Sequence, residues 1–157
     1  MKPDLSLSVQ YGVQEARLPR WRLRRWAERA LAGAAADGLV AFSGAELSLR
    51  LVGAAEGRRL NRDFRGRDYA TNVLTFEYGV DPLGVARGDI VMCVPVLVRE
   101  AREQRKELLD HAAHLTIHGV LHSLGYDHVK ARDARRMETL ETATLAAMGI
   151  ADPYVDA

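Results

Sequence analysis

The sequence has a single cysteine, Cys93, in 157 residues, so no internal disulfide can form. Its neighbours Val91, Met92 and Val94 are apolar and mark it for a buried, inert thiol, which fits a reducing compartment. Long hydrophobic runs are also missing: no stretch approaches the roughly 18 consecutive apolar residues of a membrane span. Met1 to Gly12 alternates polar and apolar residues and lacks the apolar block of a signal peptide. No internal repeat and no low-complexity tail is present. What remains is 48% apolar and 27% charged, the composition of a soluble globular protein. The chain is expected to be one cytoplasmic domain spanning residues 1–157, without membrane contact, and long enough to bury a core unaided.

Net charge is only +1, but the signs are unevenly placed. Val13 to Arg67 holds twelve Arg against six Asp or Glu, whereas Met137 to Ala157 has four carboxylates and no Lys or Arg. That asymmetry fits a basic face for an anionic partner, and it fits the solvated face of a helix equally well.

The stretch that carries chemistry is His118-Gly119-Val120-Leu121-His122-Ser123-Leu124-Gly125-Tyr126-Asp127-His128. Residues four apart on a helix stand one above the other, so His118 and His122 can aim two imidazoles at one point. Gly125 can take the left-handed conformation that ends a helix, letting the chain turn back and deliver His128. Three imidazoles with an open fourth position make a catalytic zinc site. The spacing is similar to that of the metzincin proteases, H-E-x-x-H-x-x-G-x-x-H. Those enzymes need a glutamate after the first His as general base, and here that position is Gly119, which excludes their chemistry.

The same stretch closely resembles the signature of the YbeY family, bacterial metal-dependent endoribonucleases that mature ribosomal RNA. A second block agrees, running from Leu60-Asn61-Arg62-Asp63-Phe64-Arg65 through Asp68 and Thr71-Asn72-Val73-Leu74-Thr75-Phe76. Gly88-Asp89-Ile90 and the Asp152-Pro153-Tyr154 ending match as well, so the resemblance covers nearly the whole chain in order. It implies a single-strand-specific, zinc-dependent endoribonuclease with one Zn2+ per chain, acting on rRNA precursors, chiefly the 16S 3′ end, and in ribosome quality control. It further implies contact with the ribosome or its small subunit, and with a ribosomal protein and a GTPase. Two other readings suit the same residues: a non-catalytic zinc-containing assembly factor, and a metallohydrolase with another substrate.

Taken in order, Leu5, Leu7, Val9 and Tyr11 alternate with polar residues and predict a strand with one buried face. Pro19 suits the first turn of a helix whose buried stripe is Leu23, Trp26, Ala27, Ala30, Leu31 and Ala34. Trp21 and Trp26 are expected in the core rather than as a base-stacking platform. Leu47, Leu49 and Leu51 predict a second strand, 53–64 a short basic helix, Asn72 to Tyr78 a third strand, and Gly79 to Gly88 a loop. Asp89 to Val94 reads as a strand covered on both faces. Pro95 opens a helix to about Lys106, a buried central helix runs from about Leu108 to Leu124, and a last helix from about Ala131 to Met148. These elements indicate an α+β domain, and the resemblance implies a mixed sheet of about four strands packed with about five helices, the central one carrying a zincin-like three-His site.

The expected metal ligands are His118, His122 and His128, with His118 also catalytic through the metal. Asp127 suits either of two roles, orienting a ligand or handling a proton; His114 is a candidate to orient the site, and His111 is expected nearer the surface. The resemblance puts the family's key arginine at Arg65, whose guanidinium can fork onto phosphate oxygens; the bland alternative is an ion pair with Asp68 or Asp89. Arg59, Arg62 and Arg67 accompany it as candidate RNA contacts. Thr71 and Asn72 are expected to fix the start of the third strand, and Met137 to be ordinary core.

Overall fold

The computed structural model describes residues 2–127 and 129–155. In chain order the elements are β1 (Asp4–Tyr11), α1 (Arg20–Asp37), β2 (Gly44–Val52), α2 (Ala54–Arg65), β3 (Val73–Val80), β4 (Val85–Cys93), α3 (Val94–Glu103), α4 (Leu108–Ser123) and α5 (Ala131–Ala146). The architecture is α+β. Four strands form one mixed sheet in the order β1-β2-β4-β3, with β1, β2 and β4 parallel and β3 antiparallel to β4.

The register explains the layering. Leu7 pairs with Leu47 and Leu47 with Gly88, while Val9, Leu49 and Ile90 follow in the next apolar row. Side chains alternate across a strand, so these residues line one face, and that face carries the main core. The row between them is Ser8, Ser48 and Asp89, on the polar face. Helices α1, α4 and α5 pack together on the apolar side, with α4 against β3 and β4.

Two glycines set how close α4 comes to the sheet. A Cβ on Gly119 would stand 3.0 Å from Ile90 Cγ2, and a Cβ on Gly88 would stand 2.5 Å from Ser123 Oγ. The residue after His118 therefore points into the sheet, away from the site its neighbour serves. The position where a metzincin carries its glutamate is here a packing contact, which gives the missing base a steric reason as well as a chemical one.

Past Ser123 the helix closes. Gly125 takes φ +104°, in the left-handed region that favours glycine. Tyr126 then turns inward, only 1% exposed, and its hydroxyl donates to Asp37 Oδ2 at the end of α1. Burial first, and then that hydrogen bond, push the Tyr126 hydroxyl well above the ordinary tyrosine range.

Some expectations need correction. Trp26 is buried, but Trp21 is 60% exposed, with the Arg22 guanidinium 4.8 Å above its ring. Two residues before Leu23, it stands about 200° round α1 from it, on the side away from the core. The expected loop over Gly79 to Gly88 is instead a tight hairpin, because β3 runs to Val80 and β4 begins at Val85. Gly79, at φ +83°, lies at a register shift, and the Asp81 carboxylate accepts the N–H groups of Leu83 and Val85 across the turn. Glycines that read as loop signals are a bulge and a turn within continuous strands.

Replacing Gly88 with alanine forces a methyl group against Ser123, whose Cβ would be 2.7 Å away. Overpacking of this kind is expected to destabilise the fold by about 1–3 kcal/mol. Urea unfolding of Gly88→Ala measures it, and an unchanged midpoint would mean that α4 can withdraw from the sheet.

Candidate metal centre

Helix α4 places His111, His114, His118 and His122 along one stripe. Successive ring centroids stand 6.5, 6.3 and 6.2 Å apart. The stripe divides into two parts with different partners.

At the C-terminal part, His118 Nδ1 lies 3.0 Å from Glu141 Oε1 and 3.3 Å from Oε2. An ionised carboxylate can only accept hydrogen bonds, so Nδ1 carries the proton and the lone pair resides on Nε2, across the ring. Glu141 lies on α5, is 0% exposed, and is also approached by His114 Nε2 at 3.4 Å and the Tyr154 hydroxyl at 2.7 Å. Burial pushes its carboxyl up, but the hydrogen bonds from His114, His118 and Tyr154 outweigh that and hold it at about 2. The group is therefore a fixed negative charge behind His118. One turn on, His122 Nδ1 stands 4.0 Å from Glu77 Oε1 on β3.

His128 lies outside the described residues. Among the described residues, no three His, Cys, Asp or Glu side chains converge as a ligand set, so a three-imidazole site depends on His128. Asp127 is exposed, and its Oδ1 accepts the Val129 N–H. His114 is set beside Glu141 and edge-on to the Tyr154 ring at 5.3 Å.

His111 departs from expectation. It is 3% exposed, and its Nε2 hydrogen-bonds Glu100 Oε1 at 3.0 Å. Burial keeps its imidazole below the usual histidine range, although Glu100 pulls the other way. Glu100 also accepts from Asn72 Nδ2 at 3.0 Å, while Asn72 Oδ1 accepts the Val73 N–H. Through these bonds α4, α3 and the start of β3 are joined.

Arg65, the last residue of α2, donates to Thr75 O at 2.7 Å and lies 5.2 Å over the Phe76 ring. The ion pairs considered for it are absent: Asp68 pairs with Arg58, and Asp89 is bonded by Ser48 and Tyr78. Arg65 is thus braced on β3, two residues from Glu77, which approaches His122. Arg62 pairs with the adjacent Asp63, and Arg67 donates to the Tyr69 hydroxyl, while Arg59 contributes charge toward Glu56. Phe64 is 64% exposed and meets Phe76 edge-on at 5.5 Å.

Glu141 and Glu77 were not singled out from sequence, and Tyr154 stood out only as part of the Asp152-Pro153-Tyr154 ending, with no role attached. A signal for Glu141 did exist: it sits four residues after Met137 and four before Leu145, within the buried stripe of α5. A carboxylate at such a position needs partners.

The sequence profile described as Endoribonuclease YbeY matches residues 9–149. The chain is 78% identical to "Endoribonuclease YbeY" of Bordetella pertussis over 100% of both chains. It is 50% identical to the protein of that name from Acidovorax sp., over 96% of each. The solution structure of a Thermotoga maritima protein superposes with a TM-score of 0.59 at 22% identity, over 95% of this chain and 99% of that one, a likeness of fold alone. On its sequence kinship along almost the whole chain, the protein belongs to the YbeY endoribonuclease family.

Proposed function

We propose that the protein is a zinc-dependent endoribonuclease that cuts single-stranded RNA, with one Zn2+ held by His118, His122 and His128. The observation that carries this reading is the buried Glu141 carboxylate accepting from His118 Nδ1. A carboxylate behind a histidine fixes its tautomer and orientation, and this is the usual support of a metal-ligating imidazole. Neutral imidazoles around a position left for water or substrate suit zinc as the donor set of a catalytic site. When bound, the ion supplies Lewis acidity toward a phosphoryl oxygen and toward water.

The chain's own residues do the rest. Glu141 keeps His118 from rotating. Asp127, beside His128, is the proposed group for orienting that ligand or handling a proton. Arg65 presents a guanidinium already braced by Thr75 O and Phe76, so little side-chain freedom is left to lose when a phosphate binds. Arg59, Arg62 and Arg67 extend that basic surface along the backbone of the RNA. The exposed face of Phe64 can stack on an unpaired base, which a duplex does not offer, and this favours single strands. The proposed targets are ribosomal RNA precursors in the cytoplasm, above all the 16S 3′ end, and the RNA of defective ribosomes. The small subunit, a ribosomal protein and a GTPase are the partners in that reading.

Elemental analysis is expected to find one zinc per wild-type chain and essentially none in His118→Ala. Zinc retained by that variant would remove His118 from the ligand set. Arg65→Ala should keep its zinc yet cleave an unstructured RNA more slowly by on the order of 100-fold. Wild-type rates would sink its phosphate role, and His118→Ala purified identically controls for contaminating nuclease. Glu141→Gln should weaken zinc binding by about 10–100-fold, read by competition with a chromogenic chelator.

A further inference from the structure

The segment after α5 is tied back onto the metal centre. The Asp152 carboxylate accepts the Tyr154 N–H at 2.8 Å and the Thr142 hydroxyl, on α5, at 3.4 Å. Lys106, between α3 and α4, donates to Pro153 O at 3.3 Å. These bonds hold a short hook in which the Tyr154 hydroxyl turns inward. The Tyr154 ring is 45% exposed, yet its hydroxyl reaches Glu141 at 2.7 and 2.9 Å. Burial, and then that contact, push the hydroxyl well above the ordinary tyrosine range, so it remains a donor at any working pH.

We infer that Tyr154 is a positioning residue for the metal centre: its hydroxyl fixes the Glu141 carboxylate, which through His118 Nδ1 sets the direction of that ligand's lone pair. The inference rests on the zinc reading above. A buried carboxylate has several acceptor sites to fill, and Glu141 at 0% exposure is out of reach of bulk solvent. His118 takes one position and His114 another at 3.4 Å, a long contact. The Tyr154 hydroxyl makes the shortest contact of the three. Without it the carboxylate is held only by His118 and His114, the side chains it has to orient, and its hold on His118 loosens. The hook thereby joins a residue near the end of the chain to a ligand on the central helix.

The test uses full-length wild type, Tyr154→Phe and Tyr154→Ala, each stripped of metal and titrated with zinc against a chelator. Tyr154→Phe keeps the ring against His114 and removes only the hydroxyl, with its bonds to Glu141 and, at 3.2 Å, to His114 Nε2. It is expected to bind zinc about 10-fold more weakly. The thermal midpoint of the metal-free protein should fall by only several degrees, the cost of one lost bond to a buried carboxylate, and the visible spectrum of the Co2+-loaded protein should shift. Tyr154→Ala should match Tyr154→Phe in affinity. If Tyr154→Phe binds as wild type does and only Tyr154→Ala weakens, the ring merely packs and the inference is overturned, with the zinc reading intact. If wild type itself holds no zinc, the zinc reading fails first and this one falls with it.

Discussion

The closeness of α4 to the sheet is the constraint on which the rest depends. Gly88 lies against Ser123 with no room for a further carbon, and Gly119 lies against Ile90, where one would be crowded at 3.0 Å. That approach buries one side of α4, with Ala112, Ala113, Ile117, Val120 and Leu121 essentially inaccessible, and leaves the histidine stripe turned toward β3 and α5. A helix held on a packed face cannot roll, because interiors are close-packed and resist sliding. The imidazoles thus have a fixed direction before any ion is considered. What faces them comes from three elements: Glu141 of α5 meets His118 and stands beside His114, Glu77 of β3 approaches His122, and Glu100 of α3 bonds His111.

Much of the architecture was readable in the sequence because it rests on periodicity. Leu5, Leu7 and Val9, then Leu47, Leu49 and Leu51, announced strands with one apolar face, and the stripe Leu23 to Ala34 announced α1. The order β1-β2-β4-β3 was not readable, since pairing depends on which faces the helices cover rather than on any strand's own pattern. The paired placement of His118 and His122 followed from helical spacing. Glu141 escaped notice because a charged residue counts as surface until its partners are known, and its partners lie 13 to 27 residues away on α4 and the C-terminal hook. His111 was read as peripheral for the same reason, since Glu100 becomes its neighbour only once α3 and α4 pack together.

Charge proved a poor guide to role when read as a sum. The arginines of the first half look like one basic field in the sequence, yet Arg17, Arg24, Arg50, Arg58 and Arg62 each sit beside a carboxylate. Such exposed pairs add little to stability, but they reduce the charge available to an anion. Arg65, like Arg20, is held by a backbone carbonyl and an aromatic ring, neither of which cancels its charge.

The bonds from His111 through Glu100 to Asn72 bear on how the molecule assembles. They clamp the helix that carries the histidines to the strand that braces Arg65, using three side chains whose polar ends are largely withdrawn from water. Neither element can settle without the other, since a lone partner would leave a shielded polar group unanswered. The histidine-bearing helix and the strand that braces Arg65 are therefore brought together by the act of folding, before any ligand is present.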